Sequence, residues 1–288
     1  MADRGPVWLE VALNGPWSRA QQPLIPLSVE EIVAEGVACA RAGAAIVHIH
    51  ARDPGTGAQK DDAELYAAIF EGVRAGCDAI VYPTLPLLGA EGHEAGESVA
   101  GRFAAVEALA ARGLLEWLVV DPGSATFLRP EAPEGGFLYR NPPDHVRAGL
   151  DLARRAGARP SFAIYEPGFA RAGAAWAAAA GCPTPVYRFM FSTGFLFGFP
   201  PEPFALEAHR ALLERVAPGA PWMVAGLDVD VTPLIAPAVA AGGHVRVGLE
   251  DAPFGCRLGN LALVEAARAA IEAAGGRLAS AAEVRAFR

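Results

Sequence analysis

Short β-branched runs alternate with longer Ala/Leu/Glu/Arg stretches along the whole of this 288-residue chain. The short runs fall at 7–13, 44–50, 79–84, 116–121, 161–166, 186–191, 222–227 and 244–249. They are rich in Val, Ile, Phe and Leu, as strands buried on both faces must be. The stretches between them, 28–42, 62–75, 97–112, 142–156, 168–180, 202–216, 231–241 and 260–274, carry helix signals. Ser28 precedes Glu30 and Glu31, and Asp61 and Asp62 precede Ala63-Glu64-Leu65. Stops are marked by Gly43, Gly76, Gly157, Gly181, Gly242 and Gly275. Strict alternation implies right-handed crossovers and a parallel sheet. Eight units in 288 residues predict one closed (β/α)8 TIM barrel domain spanning 1–288 rather than an open doubly wound sheet. Neither G-x-G-x-x-G after the first strand nor G-x-x-x-x-G-K-[ST] is present, which disfavours a nucleotide-binding open sheet. The Pro/Gly-rich stretch 130–143 reads as a long loop after the fourth strand, on the side where barrel loops build active sites.

Composition narrows the function classes. A net charge of −8 and a pI near 5.3 argue against a nucleic-acid partner, because neutralising phosphates needs a basic face. The 52% apolar fraction excludes intrinsic disorder. Four dispersed cysteines, Cys39, Cys77, Cys182 and Cys256, form no C-x-x-C pair and suit free thiols in a reducing compartment. The most apolar run, 172–182, is far short of the roughly 20 residues a bilayer requires, and the first residues lack the order of a signal peptide. A cytoplasmic protein with no membrane partner is the expectation. Lys60 is the only lysine, so Schiff-base chemistry would have to run through a polar loop.

The chemistry-bearing residues sit at strand ends. In Ile46-Val47-His48-Ile49-His50, alternation sends His48 and His50 to one face and the apolar pair to the other. Two imidazoles about 7 Å apart along a strand can chelate one divalent metal; the alternative is a pair of hydrogen-bonded core histidines. In His244-Val245-Arg246-Val247-Gly248-Leu249-Glu250-Asp251, the same parity turns Arg246 and Glu250 into the barrel mouth and leaves Asp251 at the rim. Inward charges on a buried strand are costly unless paired or metal-bound. Glu250 is therefore the expected third ligand of a His₂Glu site with an open position, a catalytic rather than a structural pattern. Arg246 would hold an oxyanion or orient Asp251, the alternative being a structural ion pair.

Three segments, Val11-Ala12-Leu13-Asn14-Gly15, Gly43 to Asp53 with its H-x-H-x-R, and Gly243 to Asp251 with R-V-G-L-E-D, resemble the β-keto acid cleavage enzyme family. Its best-known member type is the 3-keto-5-aminohexanoate cleavage enzyme. The resemblance extends to the tail at Gly259-Asn260-Leu261 and Ala282-Glu283-Val284-Arg285. It implies a zinc-bearing barrel (another divalent metal would serve), assembled as a tetramer or dimer. The implied reaction is a retro-Claisen exchange, in which a β-keto acid and acetyl-CoA as co-substrate give acetoacetate and a new acyl-CoA. It assigns His48, His50 and Glu250 to the metal and Arg246 and Asp251 to catalysis. Substrate contacts fall to Asn14, to Thr84 as the one hydroxyl kept in Val81-Tyr82-Pro83-Thr84-Leu85-Pro86, to Ser124 of Asp121-Pro122-Gly123-Ser124, and to Glu166. Glu166 is the nearest acid on a fifth strand whose Pro160-Ser161-Phe162-Ala163 lacks the family's acidic residues.

Two other classes stand beside this reading. One is a metal-dependent lyase, aldolase or hydrolase; amidohydrolases carry H-x-H on the first strand, whereas here it is on the second. The other is a barrel that binds a carboxylate without turnover. Among weaker signals, Phe189, Phe191, Phe195, Phe197 and Phe199 read as core packing first and as an apolar pocket wall second. His93, His145 and His209 read as solvated, and Arg171, Arg188 and Arg257 as candidates for CoA phosphates. Asn260 reads as a helix cap or phosphate contact.

Overall fold

The computed structural model describes residues 5–88 and 98–287; His93 lies outside them. In chain order the described elements are β1 (Leu9–Ala12), α1 (Val29–Ala42), β2 (Ile46–Ile49), α2 (Ala63–Gly76), β3 (Ile80–Pro83), α3 (Val99–Ala111), β4 (Trp117–Val119), β5 (Ala125–Arg129), β6 (Ala132–Tyr139), α4 (Pro143–Ala156), β7 (Arg159–Ile164), α5 (Pro167–Ala180), β8 (Val186–Phe191), α6 (Pro203–Val216), β9 (Trp222–Gly226), α7 (Thr232–Ala240), β10 (His244–Val247), α8 (Asn260–Ala273) and α9 (Ala281–Ala286). Eight strands pair in parallel in the order β3-β2-β1-β10-β9-β8-β7-β4, and β3 packs against β4 to bring the sheet ends together. The result is a nearly closed (β/α)8 barrel ringed by helices.

Local chemistry explains the element ends. Ser28 accepts a hydrogen bond from the Glu31 N–H while the Glu31 carboxylate accepts from the Ser28 N–H, a reciprocal cap on α1. Asp62 caps α2 by accepting from the Glu64 and Leu65 N–H groups. Close packing of α2 on α1 depends on Gly72 and Gly76, where a Cβ would run into Val33 and Val37.

Two expectations about the elements change. The stretch 130–143 is not a loop: it contains all of β6, which pairs antiparallel with β5. Alternation survives its Pro and Gly content because Phe137 and Tyr139 face Phe127, with the Phe127 and Phe137 rings 5.1 Å apart. The hairpin also joins the loop after β8 through the Leu196 N–H to the Leu128 carbonyl. The last barrel strand ends at Val247, not at 249. Gly248 adopts φ +139, and a Cβ there would collide with the Ala12 backbone, so the chain leaves the strand against β1 and turns.

Buried histidines were also misread. His145 is buried, and His209 is sealed between Phe189, Phe191 and Phe199. A helix residue on the core-facing stripe looks polar in sequence wherever a His packs as an aromatic ring. Asn260 is not the cap of α8, which is Gly259. Its carboxamide accepts from the Leu249 N–H and donates to the Leu13 carbonyl, stitching the turn after β10 to the end of β1. No helix among the described residues is long and apolar enough to cross a membrane.

Burial holds the His209 imidazole down to about 4 and that of His244 down to about 3, against about 6.5 in an unfolded chain. The unfolded chain therefore takes up these protons first. Stability is complete above pH 6.5 or so and falls as pH drops below that, levelling off near pH 4 for His209, which accounts for roughly 3 kcal/mol, and near pH 3 for His244. Urea midpoints should accordingly decline from pH 7 to about pH 4. His209→Leu, which removes two buried nitrogens without hydrogen-bond partners, should flatten part of that decline; an unaltered slope would assign the loss to other groups.

Candidate metal centre and active site

Three strands bring the donors together. β1 lies between β2 and β10, so side chains from the ends of β2 and β10 converge over its end. β1 clears the space with small residues: Ala12 sits beside His48 in register, and a Cβ on Gly15 would strike the Glu250 side chain. Arg52, the arginine of H-x-H-x-R, is buried and donates to the Gly15 carbonyl, fixing that turn. Trp17 Nε1 donates to the Glu250 carbonyl at 2.8 Å.

His48 Nε2 and His50 Nε2 each lie 3.5 Å from Glu250 Oε2, and the three donor atoms lie within 4.8 Å of one another. Tetrahedral donors about 2.0–2.2 Å from a cation stand roughly 3.5 Å apart. His50 Nε2 and Glu250 Oε2 are buried without hydrogen-bond partners, an arrangement that is costly until a cation lies between them. The donor set thus fits a divalent ion.

The orientation of His50 is set from behind. Its Nδ1 lies 2.8 Å from Gln59 Oε1. The other end of that amide donates to the Asp61 carboxylate at 3.0 Å, and Asp61 also accepts from the Tyr66 hydroxyl. A carboxylate only accepts, so Gln59 must turn its oxygen to His50, whose Nδ1 then carries the proton and whose Nε2 keeps its lone pair. Asn14 clamps the His50 backbone, accepting from its N–H and donating to its C=O, both at 3.0 Å. Burial holds the His48 imidazole far below its ordinary range and hence neutral, as a metal ligand must be.

Beneath Glu250 lies a buried charge network. Arg246, 1% exposed, reaches Glu250 Oε1 at 2.9 Å, Glu10 Oε1 at 3.0 Å and Asp251 Oδ1 at 2.7 Å. Burial disfavours its charge, but the carboxylates of Asp251, Glu250 and Glu10 outweigh that and hold it protonated. Burial would raise the Glu250 carboxyl; the Arg246 charge instead holds it well below the usual range. Asp251 is pushed up by burial against the pull of Arg246. The Tyr82 hydroxyl donates to Glu10 at 2.6 Å.

A cavity of about 320 Å³ opens over these donors. His48, His50 and Glu250 line it, with Thr84, Asp121, Tyr139, Tyr165 and Arg188 around them. Trp17, Phe127 and Phe137 add aromatic surface. Of the expected substrate contacts, Thr84 alone is in this lining. Asn14 is committed to His50, the exposed Ser124 accepts from the Asn141 N–H, and Glu166 accepts from the Gly198 N–H. Arg246 and Asp251 stand behind the lining; both Asp251 oxygens are engaged by Arg246 and one also by the Gly226 N–H. The phenylalanines divide. Phe189 and Phe191 pack outward on His209, while Phe195 and Phe197 pack on Phe127 at the cavity side. Arg188 is buried inside the barrel, too deep for CoA phosphates, whereas Arg171 and Arg257 are exposed. A larger hollow, about 830 Å³, lies around Trp8, Trp222 and His244 and includes none of the three donor residues.

Sequence reasoning missed Glu10 and Gln59, quoted Asp121 only as part of the turn before Ser124, and read Arg188 as a candidate for CoA phosphates rather than as part of this lining. Glu10 and Arg188 had a signal: each is a lone charge inside an apolar strand, with the parity of an inward position. Gln59 had none.

The model of the β-keto acid cleavage enzyme family matches residues 6–287. The chain is 28% identical over 291 aligned positions to the 3-oxoadipate:acetyl-CoA acetyltransferase of Cupriavidus necator, covering 98% of this chain and 94% of the relative. It is 27% identical to the 3-dehydrocarnitine:acetyl-CoA trimethylamine transferase of Rhizobium meliloti, covering 91% and 88%. Among solved structures, apo ObcA superposes with a TM-score of 0.68 at 20% identity over 91% of this chain and 65% of that one, a likeness of fold. With the barrel, the three convergent donors and a family match across nearly the entire length, the chain belongs to the β-keto acid cleavage enzymes.

Proposed function

We propose that this protein exchanges the acyl group of a β-keto acid with acetyl-CoA, using a divalent cation, zinc, held by His48, His50 and Glu250. The observation that carries the reading is the set of three buried donors facing one another at the floor of a cavity inside a family-matched barrel, with His50 Nε2 and Glu250 Oε2 unpartnered. In the exchange, the bond between the keto carbon and the carbon bearing the carboxylate group breaks. The deprotonated carbon first bonds to the acetyl carbonyl carbon as the acetyl C–S bond breaks; the freed CoA thiolate then takes the acyl part, and the two-carbon piece leaves with the acetyl group as acetoacetate once that carbon takes back a proton. A cation in the site supplies Lewis-acid polarisation of a carbonyl oxygen.

The chain's own residues prepare the rest. Gln59 and Asn14 hold His50 in one tautomer and one place. Arg246 fixes Glu250 by one oxygen and leaves the other for the ion. Asp251, raised by burial, is the proposed acid–base group for the proton on the carbon beside the keto group. In this structure it is held by Arg246, so it acts only when Arg246 shifts a donor away from it. That engagement also supports a second reading, carboxylate binding without turnover, which predicts saturable binding and no product.

Acetoacetate should appear only when a β-keto acid and acetyl-CoA are both supplied. His48→Ala should lower its release at least about 100-fold along with metal content; full activity in that variant, or product without acetyl-CoA, would overturn the proposal. Asp251→Asn should reduce turnover while metal content stays near one ion per chain, and loss of the ion would make Asp251 a ligand instead. Gln59→Leu should weaken zinc binding roughly 10- to 100-fold in a chelator competition, with the circular dichroism spectrum unchanged; wild-type affinity would remove Gln59 from the site.

A further inference from the structure

We propose that Arg188 binds the carboxylate of the substrate, and that the substrate is a β-keto monocarboxylate with an apolar remaining substituent. The proposal rests on the acyl-exchange reading and names the substrate class of the same cavity.

Arg188 is 3% exposed, in the middle of β8. Its neighbours Tyr187 and Phe189 have the opposite parity, and Phe189 stacks on His209 of the helix layer, so Arg188 points into the barrel and lines the cavity. In the sheet order, β8 is four places from β2 among eight strands. Arg188 therefore faces the H-x-H strand across the lumen.

Its hydrogen bonding is far from complete. A guanidinium carries five N–H donors. Only Nη2 has contacts, to Asp121 Oδ1 and to the Ser161 carbonyl, both at 3.5 Å, the outer limit of a hydrogen bond. Nε is buried with no partner. Nor is Arg188 there to satisfy Asp121, which accepts from the Ala163 N–H at 2.7 Å and from the Tyr139 hydroxyl at 2.5 Å. A buried cation with idle donors facing a cavity is costly alone. A planar carboxylate completes it with two parallel N–H···O bonds.

The rest of the lining selects against a second charge. Among the described residues lining the cavity, Arg188 is the only arginine or lysine, so a second carboxylate would find no cation. A cationic substituent would find Asp121 already engaged. Apart from uncharged polar groups such as Thr84, Tyr139 and Tyr165, the rest of the lining is apolar, with Leu85, Leu87, Phe127, Phe137 and Leu227 among it. With the carboxylate on Arg188, the keto oxygen faces His48, His50 and Glu250 and the substituent lies on the aromatic hairpin.

The test uses the metal-loaded protein and calorimetric titration with acetoacetate and with its uncharged methyl ester. Arg188→Met should weaken acetoacetate binding roughly 10- to 100-fold, leave the ester within about threefold, and leave metal content unchanged; Arg188→Lys should restore part of the loss. Should Arg188→Met fail to fold, Arg188→Lys alone should weaken acetoacetate and spare the ester. Wild-type acetoacetate affinity in the variant that folds, an equal loss for acid and ester, or no acetoacetate binding by the wild type overturns the assignment. In displacement of acetoacetate from the wild type, 3-oxohexanoate should compete at least about tenfold better than a β-keto dicarboxylate of similar length, and the reverse order overturns the substrate class. Arg188-dependent binding in a protein that releases no product with any β-keto acid and acetyl-CoA would sink the acyl-exchange reading while supporting the carboxylate site.

Discussion

The guanidinium of Arg246 is the interaction on which the site depends. It lies at the floor of the barrel mouth with three carboxylates around it, those of Glu10, Glu250 and Asp251. Without it, three acids would share one buried volume, and they would protonate or disrupt the fold rather than remain charged. With it, Glu10 and Glu250 each have one assigned oxygen and Asp251 has both, and Glu250 keeps its other oxygen free for the space between the two imidazoles. The geometry of the metal donors is therefore a consequence of charge balance one layer below them. The network links β1 and the end of β10, so its integrity and the closure of the barrel on that side are one problem.

Backbone requirements serve the same end. Gly15 and Gly248 take positive φ where β1 and β10 pass each other, and side chains there would meet Glu250 and the Ala12 backbone. Asn14, Asn260 and Arg52 each hydrogen-bond neighbouring backbone groups. The rim of the cavity is therefore rigid on the metal side. On the opposite side it is built from rings of the β5–β6 hairpin and the loop after β8. Polar donors at one end and apolar surface at the other suit a small acid with an apolar tail.

The barrel could be read from the chain because hydrophobic periodicity is local: each strand and helix announces itself within a dozen residues. The two imidazoles could be read for the same reason, since alternation along β2 needs no knowledge of the neighbours. Capping at Ser28 and Asp62 was equally legible. The hairpin was not, because Pro133, Gly135 and Gly136 mask its alternation and its stability comes from rings meeting across two strands. His209 was misjudged because whether a helix histidine meets water or three phenylalanines is decided by what packs on it.

Sequence alone determined the order of elements, the inward parity of His48 and His50, and, with the family resemblance, Glu250 as the expected third donor. Glu250 was placed correctly by an argument that the structure replaces. The strand stops at Val247, and it is the turn at Gly248, tied to Asn260, that delivers both Glu250 and Asp251 inward. Tertiary structure alone decided which polar groups share a space: Gln59 behind His50, and Asp121 beside an Arg188 that is 67 positions away. Periodicity fixes which way a side chain faces. Only the closure of the sheet fixes what it faces, because partners on non-adjacent strands are set by the sum of all the crossovers between them.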